Sequence, residues 1–195
     1  MSCSITGEPI CKCRISISVK QPSTMKETLR KLWSNYAIYT KFVIIDMIEE
    51  VGNIVVDGNR LLQHLAEIAT FISSVIGEKH GAHVSVLLKQ HIIHVGECTK
   101  AIIMNDSDSL EEHATGLATN IKRISIFFHQ LSPSLYTKEE IYSILEEHNQ
   151  HIMDLIIAQY HHDYQLVSTI FDAYYTYILY VSDIIYEILS STIKK

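Results

Sequence analysis

The sequence predicts an all-α domain, an antiparallel bundle of four to six helices built from a repeated helical hairpin. Three observations carry this. Only seven Gly and three Pro occur in 195 residues, too few for the turns of an all-β chain. From about residue 25 to 191, apolar side chains recur at steps of three and four, the period of a helix with one buried face. The chain also repeats itself. A shift of 57 residues lays His91 on His148, His94 on His151 and Glu97 on Asp154. The same shift pairs Ala101 with Ala158, Asp106 with Asp163, Ile121 with Ile178 and Ser125 with Ser182. A repeat of this kind marks a duplicated supersecondary unit. Helix 1 joins at a shift of 55, with Leu32, Trp33 and Tyr36 in the places of Leu87, Leu88 and His91. Helices 3–4 and 5–6 are therefore expected to be two copies of one hairpin, with helices 1 and 2 packed beside or within them.

Residues 1–22 form an N-terminal extension, and 23–195 the helical bundle domain. In the extension, "CRISISVK" alternates Ile15, Ile17 and Val19 with polar residues, a short strand pattern without a visible partner. It is expected to dock, to pair between subunits or to stay mobile. Ser23 or Thr24 is the expected N-cap of helix 1, with Glu27 at capping-box spacing. Helix 1 covers about 25–50, with a stripe of Leu29, Trp33, Tyr36, Thr40, Val43 and Met47. Gly52-Asn53 stops it, and Asp57-Gly58-Asn59 is the expected start of helix 2, which runs to about Ile76 and Gly77. Helix 3 spans about 79–104, striped by Val84, Leu88, His91, Val95, Cys98 and Ile102. Asp106 or Ser107 caps helix 4, which runs to about 131 and Pro133. Thr137, with Glu140 three residues on, opens helix 5. A turn at 161–163 leads to helix 6, which ends near Ser191.

Composition excludes several classes. The net charge of −6 and the scattered basic residues give no electrostatic footprint for nucleic acid. The most apolar segment, 171–189, carries Asp172, Asp183 and Glu187, and so reads as a core helix and not a membrane span. No Lys/Arg-led apolar leader precedes it all. Cys3, Cys11, Cys13 and Cys98 do not make a disulfide framework, which points to an intracellular, cytoplasmic chain with reduced thiols. Cys11-x-Cys13 with Cys3 reads either as a plain reduced tail or as a soft-metal site lacking structural-zinc spacing. Ile exceeds Leu, and Lys exceeds Arg twelve to four. This is the codon bias of an AT-rich genome, as in a large DNA virus or a host-restricted bacterium.

The residues that bear on chemistry are the repeated triplets. On a helix, positions i, i+3 and i+7 share a face. His91 and His148 lie on the apolar stripes, His94 and His151 at the stripe edges, and Glu97 and Asp154 one turn further. Two such helices face to face would offer two to four imidazoles and two carboxylates to a transition metal: Zn, Fe, Ni or Mn. His64 and Glu67 on helix 2 would add to the set. The same residues also read as a hydrogen-bonded polar layer, with eleven tyrosines as partners. Duplication alone would copy the spacing without function. Cys98 reads as core packing, and His80, His83, His113, His129, His161 and His162 read as surface or loop-end residues. No H-E-x-x-H, phosphate-loop, dinucleotide or nucleophile-elbow motif occurs. Tyr174, Tyr175, Tyr177, Tyr180 and Tyr186 put aromatics on more than one face of helix 6, which suggests a subunit contact.

"LWSNYAIYTKFVIID", "NRLLQHLAEIATFI", "LLKQHIIHVGE", "ILEEHNQHIMD" and "FDAYYTYILYVSDII" resemble, in order and spacing, a family of small helical proteins of spore-forming bacilli. The resemblance covers roughly residues 30–190. The family pattern is Leu-Trp-x-x-His, Asn-Arg-Leu-Leu, Leu-Leu-x-x-His, Leu-x-x-His, and a late His-x-His followed by Asp. Its members often carry a glycosyltransferase label that a helical bundle without a nucleotide-binding fold does not support. Carried over, the resemblance matches His91, His148 and Asp183 to family positions. Tyr36 stands where the family has its first-helix His, and Tyr175 and Tyr177 stand for the His-x-His pair. Neutral Tyr is a poor ligand, so any shared metal site loses donors here. The expectation is a non-catalytic helical bundle acting as a homo-oligomer or with a protein partner, without cofactor. The alternative is a metal-binding bundle with redox or hydrolytic chemistry.

Overall fold

Six helices make up the computed structural model, which describes residues 24–193: α1 Met25–Glu49, α2 Ile54–Ile76, α3 Glu78–Met104, α4 Ser107–Leu131, α5 Lys138–Tyr160 and α6 Tyr164–Ile193. The strand pattern and the three cysteines of the extension lie outside the described residues. The expected caps form. The Thr24 hydroxyl accepts from the Glu27 amide at 3.3 Å while Glu27 accepts from the Thr24 amide at 2.8 Å. Thr137 and Glu140 make the same capping box on α5, and Asp106 caps α4 through the Ser109 amide at 3.0 Å. Each satisfies amides that a helix start leaves unpaired. One boundary differs from expectation. Helix α2 begins at Ile54, three residues before Asp57, and Asn53 makes no side-chain cap. A Gly in the first turns, here Gly58, costs about 1 kcal/mol, which the buried stripe of α2 outweighs.

Turns are short, so successive helices run antiparallel. Each helix packs on its chain neighbours, α6 closes on α1, and the parallel helices α1, α3 and α5 also touch pairwise. The closing contact is a fork: Arg30 Nε donates to Asp183 Oδ1 at 2.8 Å and Nη2 to Oδ2 at 2.6 Å, with Lys26 at 3.2 Å.

The repeat is threefold, with α1–α2 as a full third copy. Shifts of 55 and 57 superpose α1 on α3 on α5, and several of the resulting sets are buried in all three copies: Leu29, Val84 and Ile141; Trp33, Leu88 and Leu145; Ile44, Thr99 and Ile156. Shifts of 56 and 57 do the same for α2, α4 and α6: Leu65, Ile121 and Ile178; Ile68, Ile124 and Val181; Ile72, Phe128 and Ile185. The backbone agrees. The three non-glycine residues of positive φ among the described residues are Glu50 (52°), Asn105 (51°) and His162 (54°), the equivalent stops of α1, α3 and α5. One hydrogen bond is copied too: Asn120 Nδ2 donates to the Leu87 carbonyl at 3.1 Å, and Tyr177 donates to the equivalent Ile144 carbonyl at 3.0 Å. Helix 1 joins at 55 and not at 57 because the first copy is two residues shorter, one in each of its two connections.

Candidate functional site at the bundle centre

The threefold arrangement decides what meets at the axis. Tyr36, His91 and His148 occupy equivalent positions on three parallel helices, and all three are buried. Their rings gather at one level. His91 and His148 stack with centroids 5.5 Å apart and planes 26° apart. Tyr36 lies 5.8 Å from His148, and its hydroxyl is 3.4 Å from His148 Nε2. Tyr174 of α6 lies 5.6 Å from His148, and Trp33 stands edge-on to Tyr36. A cavity of about 20 Å³ adjoins them, walled by Leu88, Leu145, Ile121, Phe128 and Val181.

This level is polar but poorly satisfied. Among the described residues, both ring nitrogens of His91, Nδ1 of His148 and Nε1 of Trp33 are buried without a hydrogen-bond partner, while the Thr40 and Tyr174 hydroxyls interact with each other and with Tyr36. Burial, reinforced by His94, pushes the His91 imidazole down to about 4. Burial, then His91 and His151, holds His148 well below its ordinary value. Burial also raises the Tyr36 and Tyr174 phenols well above the ordinary tyrosine range. All four groups are therefore neutral at neutral pH. The cavity has about the volume one water occupies, so a substrate of several heavy atoms has no room there.

The six candidate ligands do not gather. His91 and His148 meet at the centre, but His94 turns to His113, 5.8 Å away, and His151 packs on Tyr177 at 5.2 Å and Tyr174 at 6.4 Å. Glu97 is half-buried beside Lys100 at 3.9 Å, and Asp154 accepts from Gln150 at 2.7 Å. The cause is helical geometry. At about 100° per residue, a step of three falls about 60° short of a full turn, and a step of six about 120°. Each triplet thus fans over a third of its helix and only the first member reaches the axis. His64 is fully buried on α2, where its Nδ1 meets Glu67 at 3.0 Å and Arg60 reaches the same carboxylate at 2.9 Å. Among the described residues, no three His, Cys, Asp or Glu side chains are placed to hold one metal ion.

Other placements refine the reading. Cys98 is buried, and burial raises its thiol. His80, His83, His161 and His162 are exposed, whereas His113 and His129 are half-buried, the latter meeting the Tyr136 carbonyl at 2.9 Å. The later tyrosines of α6 mostly serve the fold: Tyr175 donates to Ser34 at 3.1 Å, and of Tyr174, Tyr175, Tyr177, Tyr180 and Tyr186 only Tyr180 is exposed. Spacing alone does not mark Trp33 and Tyr174 as neighbours of Tyr36 and His148, although the shift of 55 sets Trp33 one turn before Tyr36 on the same stripe. No helix among the described residues is long and apolar enough to cross a membrane. Comparison with protein-family models, with curated proteins and with solved structures gives no match.

Proposed function

We propose that the chain is a non-catalytic helical-bundle protein that acts by association, in the first place with a second copy of itself. The observation that carries this is the distribution of exposed apolar side chains. The α1–α2, α3–α4 and α5–α6 turns share one end of the bundle. That end exposes Val51, Ile54, Val55 and Val56, then Met104, then Tyr160, Tyr164 and Leu166. Val55 is 70% exposed, Val56 68% and Met104 65%, large values for side chains that water disfavours. The opposite end exposes only Leu135 and Ile193 in this class among the described residues. The polar centre, by contrast, is closed. Glu49, Glu50, Asp57, Asp106 and Asp163 lie at the apolar end, so two copies meeting there would repel until salt screens them. Sedimentation equilibrium at increasing ionic strength tests the reading. Self-association that strengthens with salt and is lost in Val55→Glu/Val56→Glu is expected. A monomer at high micromolar concentration at every salt would refute it.

A second reading has its own observation. Two facing, neutral imidazoles with unpartnered nitrogens among the described residues each offer one lone pair of the type that holds Zn, Fe, Ni or Mn. His91 and His148 would hold such an ion, with the Tyr36 hydroxyl beside them and no carboxylate at that level. Metal analysis of protein purified without an affinity tag tests it. A stoichiometric ion whose removal by chelator lowers the melting temperature is the expected result.

A further inference from the structure

The α3–α4 hairpin carries a feature that the fold does not need. His94 and His113 face each other across the two helices, with ring centroids 5.8 Å apart and planes at 48°. They line an open groove of about 420 Å³ together with Glu112, Gly116 and Asn120. The groove is shaped around the first ring: a Cβ on Gly116 would lie 2.3 Å from His94 Cε1. Two buried acceptors or donors there have no partner among the described residues, His94 Nδ1 and Oδ1 of Asn120, and Asn120 is only 3% exposed.

The threefold repeat supplies a control. Tyr39 and His151 stand where His94 stands, but Asp57 and Ile170 stand where His113 stands, and Arg60 and Ala173 where Gly116 stands. In the first hairpin Arg60, at the Gly116 position, lies over the Tyr39 ring at 5.7 Å. The other two hairpins therefore fold without paired imidazoles. Duplication accounts for His94 and His151, and leaves His113 and Gly116 unexplained.

We propose that His94 and His113 form a surface transition-metal site on the α3–α4 hairpin, taking a late first-row divalent ion. An ion bonded at about 2.0–2.1 Å to one nitrogen of each ring sets the ring centres about 5–6 Å apart, which the observed separation meets. The chain supplies two imidazoles, Glu112 is the carboxylate that lines the groove, and water completes the coordination. Imidazole donors select Cu²⁺, Ni²⁺ and Zn²⁺ over Mg²⁺ and Ca²⁺. The site is open to solvent and separate from both the bundle centre and the apolar end, so it stands whether or not the chain self-associates.

Untagged full-length protein is titrated with Ni²⁺ and Zn²⁺ by calorimetry and with substoichiometric Cu²⁺ by NMR. Expected are one site per chain and an affinity that His94→Gln and His113→Gln each lower by about tenfold or more. His161→Gln, at an exposed histidine outside the groove, should leave it unchanged, and Gly116→Ala should weaken it by displacing the His94 ring. In the unaltered protein, Cu²⁺ should broaden the His94 and His113 ring signals first. Binding that survives His113→Gln, or broadening centred on other histidines, overturns the proposal. Loss on His91→Gln alone also overturns it, and places the ion at the bundle centre instead.

Discussion

Replacing His91 by Leu tests whether the bundle centre is a cost the fold carries. His91 is buried with both ring nitrogens unpartnered. An unsatisfied buried polar group costs about 1–3 kcal/mol, and Leu is close to imidazole in volume, so neither a large cavity nor strong overpacking results. At pH 7 the variant should match the parent or exceed it by about 1 kcal/mol. Acid separates the two further. The fold lowers the His91 pKa from 6.5 to about 4, so the unfolded chain binds a proton that the folded chain refuses. Stability is therefore intact above the unfolded value, falls as pH drops below it, and stops falling below the folded value. The full effect is about 3 kcal/mol, with about 2 kcal/mol of it between pH 7 and pH 5. His148 adds in the same direction, and no carboxylate lies at that level to offset either charge. Urea unfolding followed by circular dichroism at pH 7 and pH 5 reads both differences. The parent should lose several kcal/mol on acidification, and His91→Leu should lose about 2 kcal/mol less. A variant that is about 2 kcal/mol less stable at pH 7 and equally acid-sensitive would refute the reasoning.

Two further changes follow from the ring of helices. Asp183→Asn should cost about 1 kcal/mol in thermal or urea unfolding, the scale of a partly exposed fork. Arg30 and then Lys26 hold the Asp183 carboxyl below its ordinary value, so this contribution is present at neutral pH and lost as pH falls through the lowered value; an equal cost at pH 2 would count against it. Asp46→Ala should stabilise by about 1 kcal/mol at pH 7.5, because Oδ2 is buried without a partner and Ala101 and Ala158 fill the equivalent places. Burial first, and then Asp57, raise the Asp46 carboxyl. The parent therefore loses stability as pH rises from the unfolded value through the raised one, and melting temperatures of the variant should lack that slope.

The helices were legible because local signals agreed. Thr24 with Glu27, Asp106, and Thr137 with Glu140 fall where the apolar period begins, and each caps its helix as expected. Helix α2 was less legible because Asp57-Gly58 imitates a start that the exposed Ile54, Val55 and Val56 precede. The convergence of His91 and His148 could be read from their place on the apolar stripes. The dispersal of Glu97 and Asp154 could not be read from spacing alone, since it depends on which 60° of each helix faces the axis. His113 reads as a surface residue in the sequence because the ring it faces, His94, lies 19 residues away across a turn, with no period linking the two.

A threefold chain carries its own comparison at each level of the core. Above and below the centre, equivalent positions are mostly apolar: Leu29, Val84 and Ile141 on one side, Ile44, Thr99 and Ile156 on the other. At the central level all three helices place a polar ring, though two hold His and one holds Tyr. Packing does not require this, because Leu would fill the space without unpaired nitrogens. Three parallel helices slipped by one turn would each still find an apolar neighbour, but the polar rings would then face aliphatic side chains and lose their mutual contacts, Tyr36 with His148 and His148 with His91. The centre thus penalises wrong registers more than it rewards the right one, a use of buried polarity known from helical assemblies. That account predicts a specific companion to the pH result. Replacing Tyr36, His91 and His148 together by Leu should raise the unfolding midpoint while broadening the transition or lowering the dispersion of side-chain NMR signals. A triple variant that is both more stable and as sharply ordered as the parent would remove the register argument and leave ligand binding as the reason for the level.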